Sequence, residues 1–202
     1  PRWVEIRFPG AEQLVSEIDP RVTATVYSQM GLPRDTSIRS RTEDARRVVE
    51  TETPGSWDLI FGDAFNGFSV PYHLTTLEFT RSVRDLLAPG GVYQLKVSVL
   101  YDPLRPDRGR FVASMVRTLA AVFGAEHLAV WVDAEIPLTS SGAGRTTYVI
   151  VATTDALSLD NLGKPKWEVA PTQGQDMRPM IRLPESARGA WLEVGKLLTD
   201  DC

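Results

Sequence analysis

The chain has 202 residues, 43% hydrophobic and 24% charged, proportions that suit a globular domain with a core and argue against wholesale disorder. Its formal net charge of −4 speaks against a nucleic-acid binder and is compatible with a cationic substrate. Cys202 is the single cysteine, which excludes a disulfide framework or a multi-cysteine metal site, and no apolar run approaches the roughly 18 residues of a membrane helix; a soluble, cytoplasmic chain is expected.

Pro1 to Phe8 reads as a helix already under way, with Pro1 suited to its first position. After the Pro9-Gly10 break, Ala11 to Ile18 reads as a strand running into Glu17-Ile18-Asp19. Pro20 to Met30 is helical, with Gly31 as its stop. Ser37 to Thr42 alternates like a strand, and Glu43-Asp44 leads into a short helix over Ala45 to Glu50. Pro54-Gly55 turns the chain into the strand Trp57 to Asp63. A long helix is expected over Pro71 to Leu87, stopped by Pro89-Gly90-Gly91. Val92 to Val99 is a further strand, and Arg110 to Phe123 an amphipathic helix ended by Gly124. His127 to Val132 and Thr147 to Thr153 are β-rich runs joined by a Ser/Gly-rich loop, which predicts an antiparallel pair.

Helices and strands therefore alternate and then close on two successive strands. That order predicts a mostly parallel α/β sheet with helices on both faces. Residues 1 to 154 are read as one domain. From 155 to 202 the prolines 165, 171, 179 and 184 give an irregular extension, with a final helix over Glu185 to Leu198.

The stretch Trp57 to Phe68 is the most informative. A nearly continuous apolar run, as in a strand buried on both faces, ends in Asp63 and a glycine-bearing loop. Ligands of open α/β sheets bind at the carboxyl ends of strands, where a carboxylate can hold or deprotonate a cationic group.

Four pieces carry a family resemblance: Glu17-Ile18-Asp19-Pro20, Glu43-Asp44-Ala45-Arg46, Asp63 to Leu74 (DAFNGFSVPYHL), and Leu87-Ala88-Pro89-Gly90-Gly91. Together they resemble the spermidine synthase (polyamine aminopropyltransferase) family, and most closely its bacterial spermidine synthase-like domains. The Leu198-Thr199-Asp200-Asp201 run is similar to one in the tails of those domains. The resemblance implies a Rossmann-like, class I methyltransferase fold whose last strand is inserted antiparallel. It also implies a first strand and a glycine-rich loop ahead of Pro1 that this sequence does not contain.

By that resemblance Glu17 would hold the ribose of decarboxylated S-adenosylmethionine, and Asp44, with Ala45, the adenine. Asp63 would touch the same co-substrate and act as the catalytic acid that draws a proton from the attacking amine. The loop beyond it would face the acceptor through Asn66, Tyr72 and His73. Asn66 departs from the family, which has an aspartate there; the amide keeps an acceptor but loses the charge, so recognition of a diamine is weakened or altered. Simpler readings run beside these. Asp44 is a good helix N-cap, Tyr72 and His73 can be a packing pair, His127 is structural, and Arg46-Arg47 is a solvated helix face.

Three functions follow as expectations. The first is aminopropyl transfer to a polyamine or related amine. The second is methyl transfer from S-adenosylmethionine on the same fold. The third is a non-catalytic nucleoside- or partner-binding domain. No metal is called for, because no His, Asp and Glu set shows ligand spacing. The expected partner is a small-molecule amine, with no nucleic acid and no membrane contact, and a homodimer is allowed.

Overall fold

The computed structural model describes residues 1–64, 71–101, 110–133, 144–155, 180–182 and 185–201. Asn66 lies outside the described residues. The chain divides into two compact units, Pro1–Glu52 and Thr53–Cys202.

The first unit contains α1 (Arg2–Arg7), β1 (Leu14–Ser16), α2 (Pro20–Ser28), β2 (Arg39–Arg41) and α3 (Ala45–Thr51). β1 and β2 are parallel, with Leu14 opposite Arg39 and Ser16 opposite Arg41. Backbone bonds from Arg39 to Gln13 (3.0 Å) and from Glu17 to Arg41 (3.0 Å) extend the ladder at both ends. The sequence supplies each helix start. The Asp19 carboxylate accepts from the Arg21 amide at 2.9 Å, and Pro20 fills the first helical position. Asp44 does the same for α3 through the Arg46 amide at 2.8 Å. α2 ends before Gly31, whose φ of 73° is a conformation glycine adopts without strain. Leu32, Ile38 and Val48 form the small buried core of this unit.

Glu5 ties α1 to the loop before β2. Its carboxylate accepts from Thr36 Oγ1 at 2.5 Å and from the Ser37 amide at 2.9 Å. These donors, the Thr36 hydroxyl foremost, and the neighbouring Arg2 lower its pKa from 4.5 to about 2. A pKa depressed by folding stabilises the folded state above the unfolded value and loses that contribution as pH falls through the folded one. Protection of the α1 amides from hydrogen exchange is therefore expected to decline from pH 4.5 toward pH 2. Glu5→Gln should remove that decline; a variant with the wild-type pH profile would refute the assignment.

The second unit contains β3 (Trp57–Gly62), α4 (Leu77–Leu86), β4 (Leu87–Tyr101), α5 (Arg110–Phe123), β5 (Leu128–Asp133), β6 (Gly144–Thr153), β7 (Met180–Arg182) and α6 (Glu185–Val194). Its sheet has the order β3-β4-β6-β5-β7. β3 and β4 are parallel, and β6 is antiparallel to both β4 and β5. β3, β4 and β5 thus run one way with β6 inserted against them, the arrangement expected from the closing strand pair. β7 adds a short antiparallel edge beside β5, which the proline-rich extension did not suggest.

Leu95, Val97, Val130, Val132, Ile150 and Ala152 are buried on one face of this sheet. α4 supplies Phe79, Val83 and Leu86 at helical spacing, and α5 buries Val112, Met115, Val116 and Leu119. The opposite face is more open. β3 was expected to be buried on both faces, yet Leu59 is 42% and Phe61 58% exposed. The reason is position: β3 is the edge strand of its sheet.

Two boundaries differ from expectation. The helix expected from Pro71 begins only at Leu77. Thr76, buried and in extended conformation, caps it by accepting from the Phe79 amide at 3.3 Å, and Tyr72–Leu74 forms a separate 3-10 turn. β4 begins at Leu87 instead of Val92, because Ala88-Pro89-Gly90-Gly91 forms an irregularity in the strand, between the pairs Trp57–Leu87 and Leu59–Val92. Gly90 has φ 75°, and a Cβ on Gly91 would lie 2.7 Å from the Ala88 carbonyl oxygen, so glycine is required there.

The last described segment docks through polar contacts on α4 and α5. Arg117 Nη1 donates to the carbonyls of Leu192 (2.8 Å) and Gly195 (3.1 Å). Ser114 Oγ accepts from the Lys196 amide at 3.0 Å, and Thr118 Oγ1 from the Leu198 amide at 3.1 Å. The Leu77 amide donates to the Leu198 carbonyl at 2.6 Å, and the Asp200 amide to Glu78 Oε2 at 3.0 Å. No helix among the described residues is long and apolar enough to cross a membrane.

Candidate functional site

In the first unit, two carboxylates come from the carboxyl ends of neighbouring parallel strands. Glu17 directly follows β1, and Asp44 lies just beyond β2 at the start of α3. The Ser16 hydroxyl donates to the Glu43 carbonyl at 2.8 Å, fastening the two strand exits to each other. Glu17 is half-buried, and its Oε1 accepts from the Asp19 amide at 2.9 Å, which fixes the carboxylate within the turn into α2. Asp19 is engaged elsewhere. It pairs with the Arg21 guanidinium, which together with the Arg21 amide lowers the Asp19 pKa and raises that of Arg21.

Asp44 has the capping role that its residue type suggests, and Ala45 follows as the first residue of α3. Neighbouring charges are largely committed to one another. Arg41 reaches Glu52 at 2.8 Å and also pairs with Glu43, Arg47 meets Glu43 at 3.2 Å, and Arg46 meets Glu50 at 2.9 Å. Arg46 and Arg47 thus brace α3 and the turn before it.

In the second unit, Asp63 stands directly after β3. The preceding position must be glycine: a Cβ on Gly62 would lie 2.8 Å from both the Tyr93 hydroxyl and Leu95 Cδ1. Burial pushes the Tyr93 phenol up, so it is neutral beneath the strand end at any working pH. Lys96 on β4 is the partner of Asp63. Its Nζ lies 3.2 Å from Oδ1 and 3.5 Å from Oδ2, with the Lys96 and Asp63 side chains 49% and 60% exposed. An exposed pair of this kind stabilises a fold by only about 0.2–1 kcal/mol, so it restrains Asp63 without locking it.

Sequence reasoning missed Lys96. The residue lies within the expected strand Val92 to Val99, but only the pairing of Gly62 with Leu95 carries it to Asp63. Tyr72 and His73 sit in the 3-10 turn before α4. Tyr72 is 69% exposed, and the two rings meet edge to face at 5.9 Å. His127 is anchored through Nδ1 to the Thr153 carbonyl at 3.2 Å, a structural role. Among the described residues no three His, Cys, Asp or Glu side chains gather in a way that could hold a metal ion.

The chemistry available is that of carboxylates at strand ends. Glu17 and Asp44 can accept from hydroxyl or amino donors, and Asp63 can accept a proton or hold a cation beside an ammonium group.

No family model matches the chain. Among curated proteins, it is 26% identical over 140 residues to a probable polyamine aminopropyl transferase of Bifidobacterium longum, a match covering 69% of this chain and 29% of the relative. It is 32% identical over 100 residues to a polyamine aminopropyltransferase of Vibrio vulnificus, covering 47% of this chain and 33% of the relative. The matches thus span about a third of the length of those relatives.

Of solved structures, a probable spermidine synthase from Corynebacterium glutamicum superposes with a TM-score of 0.74 at 23% identity, covering 98% of this chain and 67% of that one. A spermidine synthase in complex with the transition state analogue AdoDATO gives 0.59 at 17% identity, with coverage of 77% and 51%. Human methyltransferase-like protein 13 in complex with SAH gives 0.57 at 19% identity, with coverage of 80% and 71%. At these identities the structural likenesses show the fold alone, and the curated relatives supply the family. The chain is spermidine synthase-like, built on a methyltransferase-like α/β fold.

Proposed function

We propose that this protein transfers an aminopropyl group from decarboxylated S-adenosylmethionine to an amine. The observation that carries the reading is Asp63, placed directly after a strand that runs parallel to β4, in a chain whose curated relatives are named aminopropyltransferases. The co-substrate's electrophile is the methylene next to a sulfonium. The unprotonated acceptor nitrogen attacks that carbon, a C–N bond forms, and the C–S bond breaks with its electron pair going to sulfur. Neutral methylthioadenosine leaves, and the surplus proton on nitrogen passes to the Asp63 carboxylate.

Glu17 takes the ribose hydroxyls, since a carboxylate at a strand end can accept from both at once. Asp44, with Ala45 beside it, takes the adenine amino group. Asn66, Tyr72 and His73 face the acceptor. Support for an adenosine-based co-substrate comes from the AdoDATO and SAH complexes of two proteins with the same fold.

The test is product identity. The protein, supplied with decarboxylated S-adenosylmethionine and a panel of amines, is expected to release methylthioadenosine only when an amine is present. Release of S-adenosylhomocysteine from S-adenosylmethionine would assign methyl transfer instead, and no nucleoside product with either compound would leave only a binding role. Glu17→Ala should raise the co-substrate KM by about tenfold, the consequence of losing a charge-assisted bond of roughly 1.5 kcal/mol, with kcat little changed.

A further inference from the structure

Lys96 places a positive charge beside the acid assigned to the acceptor amine. Its ammonium lies 3.2 Å from Asp63 Oδ1, and about half of its side chain is open to solvent, so it is within reach of a ligand that meets Asp63. The surroundings do not offset that charge. On the same face of the sheet the pairing puts Phe61 opposite Gln94, Lys96 opposite Val149 and Ser98 opposite Thr147, all uncharged apart from Lys96. The Ser98 and Thr147 hydroxyls bond to each other at 3.0 Å. From Gly62 to His73 the sequence contains one acid, Asp63 itself.

Asp63 and Lys96 therefore sum to zero charge. A diamine brings two ammonium groups to one carboxylate and a competing cation. An amine that also carries a carboxylate brings one of each sign. Its anionic end can take Lys96 while its amine takes Asp63, so all four charges are paired. Discrimination arises as much from repelling the wrong ligand as from holding the right one.

We propose that Lys96 is a specificity-determining residue that selects an acceptor bearing an anionic group over a diamine. This rests on the assignment of Asp63 to the acceptor amine.

The experiment compares 1,4-diaminobutane with 4-aminobutanoate, which differ at one end only, in wild type, Lys96→Gln and Lys96→Glu. Turnover is followed by methylthioadenosine release, and binding by calorimetry with methylthioadenosine present. The wild type is expected to favour 4-aminobutanoate by about fivefold, the upper range for an exposed charge pair. Lys96→Gln should abolish the preference and Lys96→Glu reverse it, with thermal unfolding unchanged. A wild type that prefers the diamine, or a ratio untouched by either substitution, overturns the role of Lys96 while leaving the transfer reaction standing. Binding preferences that switch as expected without turnover would uphold Lys96 and overturn the transfer. Binding of neither acceptor overturns both.

Discussion

Asp63→Asn is expected to lower amine-dependent methylthioadenosine release by about 10²- to 10⁴-fold, the usual contribution of a positioned general base. Aliphatic amines have pKa values near 10, so at neutral pH only about one in a thousand is unprotonated and able to attack. A carboxylate can accept the proton and orient the nitrogen. Asn has nearly the same shape and still accepts a hydrogen bond, but it cannot take a proton. The loss should therefore appear in kcat rather than in binding of the nucleoside. It should also shrink as pH rises toward the amine pKa, where the free base becomes abundant.

The same substitution should hardly alter stability. Asp63 is 60% exposed and its recorded partner Lys96 is 49% exposed, so separating them costs at most about 1 kcal/mol. That separates chemistry from folding. A variant that melts with the wild type and turns over at the wild-type rate would remove Asp63 from the mechanism, and with it the main support for the transfer reaction.

Asp63 was legible because an apolar run ending in an acid is a local pattern, and Glu17 and Asp44 were legible for the same reason. Local patterns do not reveal which strands are neighbours. The exposure of Leu59 and Phe61 follows from β3 being an edge strand, a fact of sheet order that no window of sequence contains. Lys96 escaped notice on the same ground. Turn signals misled in the other direction. Pro89-Gly90-Gly91 has the composition of a stop, yet it is an irregularity within β4, pinned by the Thr154 amide bonding to the Gly91 carbonyl at 3.1 Å. β7 lies next to the proline-rich stretch, where composition suggested no strand, and is recruited by pairing with β5.

The polar residues of α5 show the limit most clearly. Ser114, Arg117 and Thr118 look in sequence like the solvent face of an amphipathic helix. Their partners lie 75 to 82 residues away, at Leu192, Gly195, Lys196 and Leu198. Ser114 and Thr118 are buried, and each accepts a backbone amide that would otherwise lack a partner where it docks.

Gly195→Ala is expected to have the largest effect on stability, a loss of about 2–4 kcal/mol and a fall in Tm of about 5–10 °C. A Cβ at this position would lie 2.4 Å from the Ala113 carbonyl oxygen, 2.7 Å from its carbon and 2.9 Å from the Trp191 carbonyl oxygen. All three atoms are backbone, so no rotamer change relieves the clash. Either α5 or the docked segment must move. The bonds most directly at stake are those of Gly195 and Lys196 to Arg117 and Ser114, each worth about 1 kcal/mol net. Gly189 provides the opposite case within the same segment. It lies inside α6 with nothing within 4 Å of its added Cβ, so Gly189→Ala should stabilise by about 0.5–1 kcal/mol through helix propensity alone. Opposite signs for one chemical change, placed six residues apart, would show that close approach of backbone to backbone holds the last segment against α5. A Gly195→Ala protein that melts within about a degree of wild type would show that this contact contributes nothing measurable.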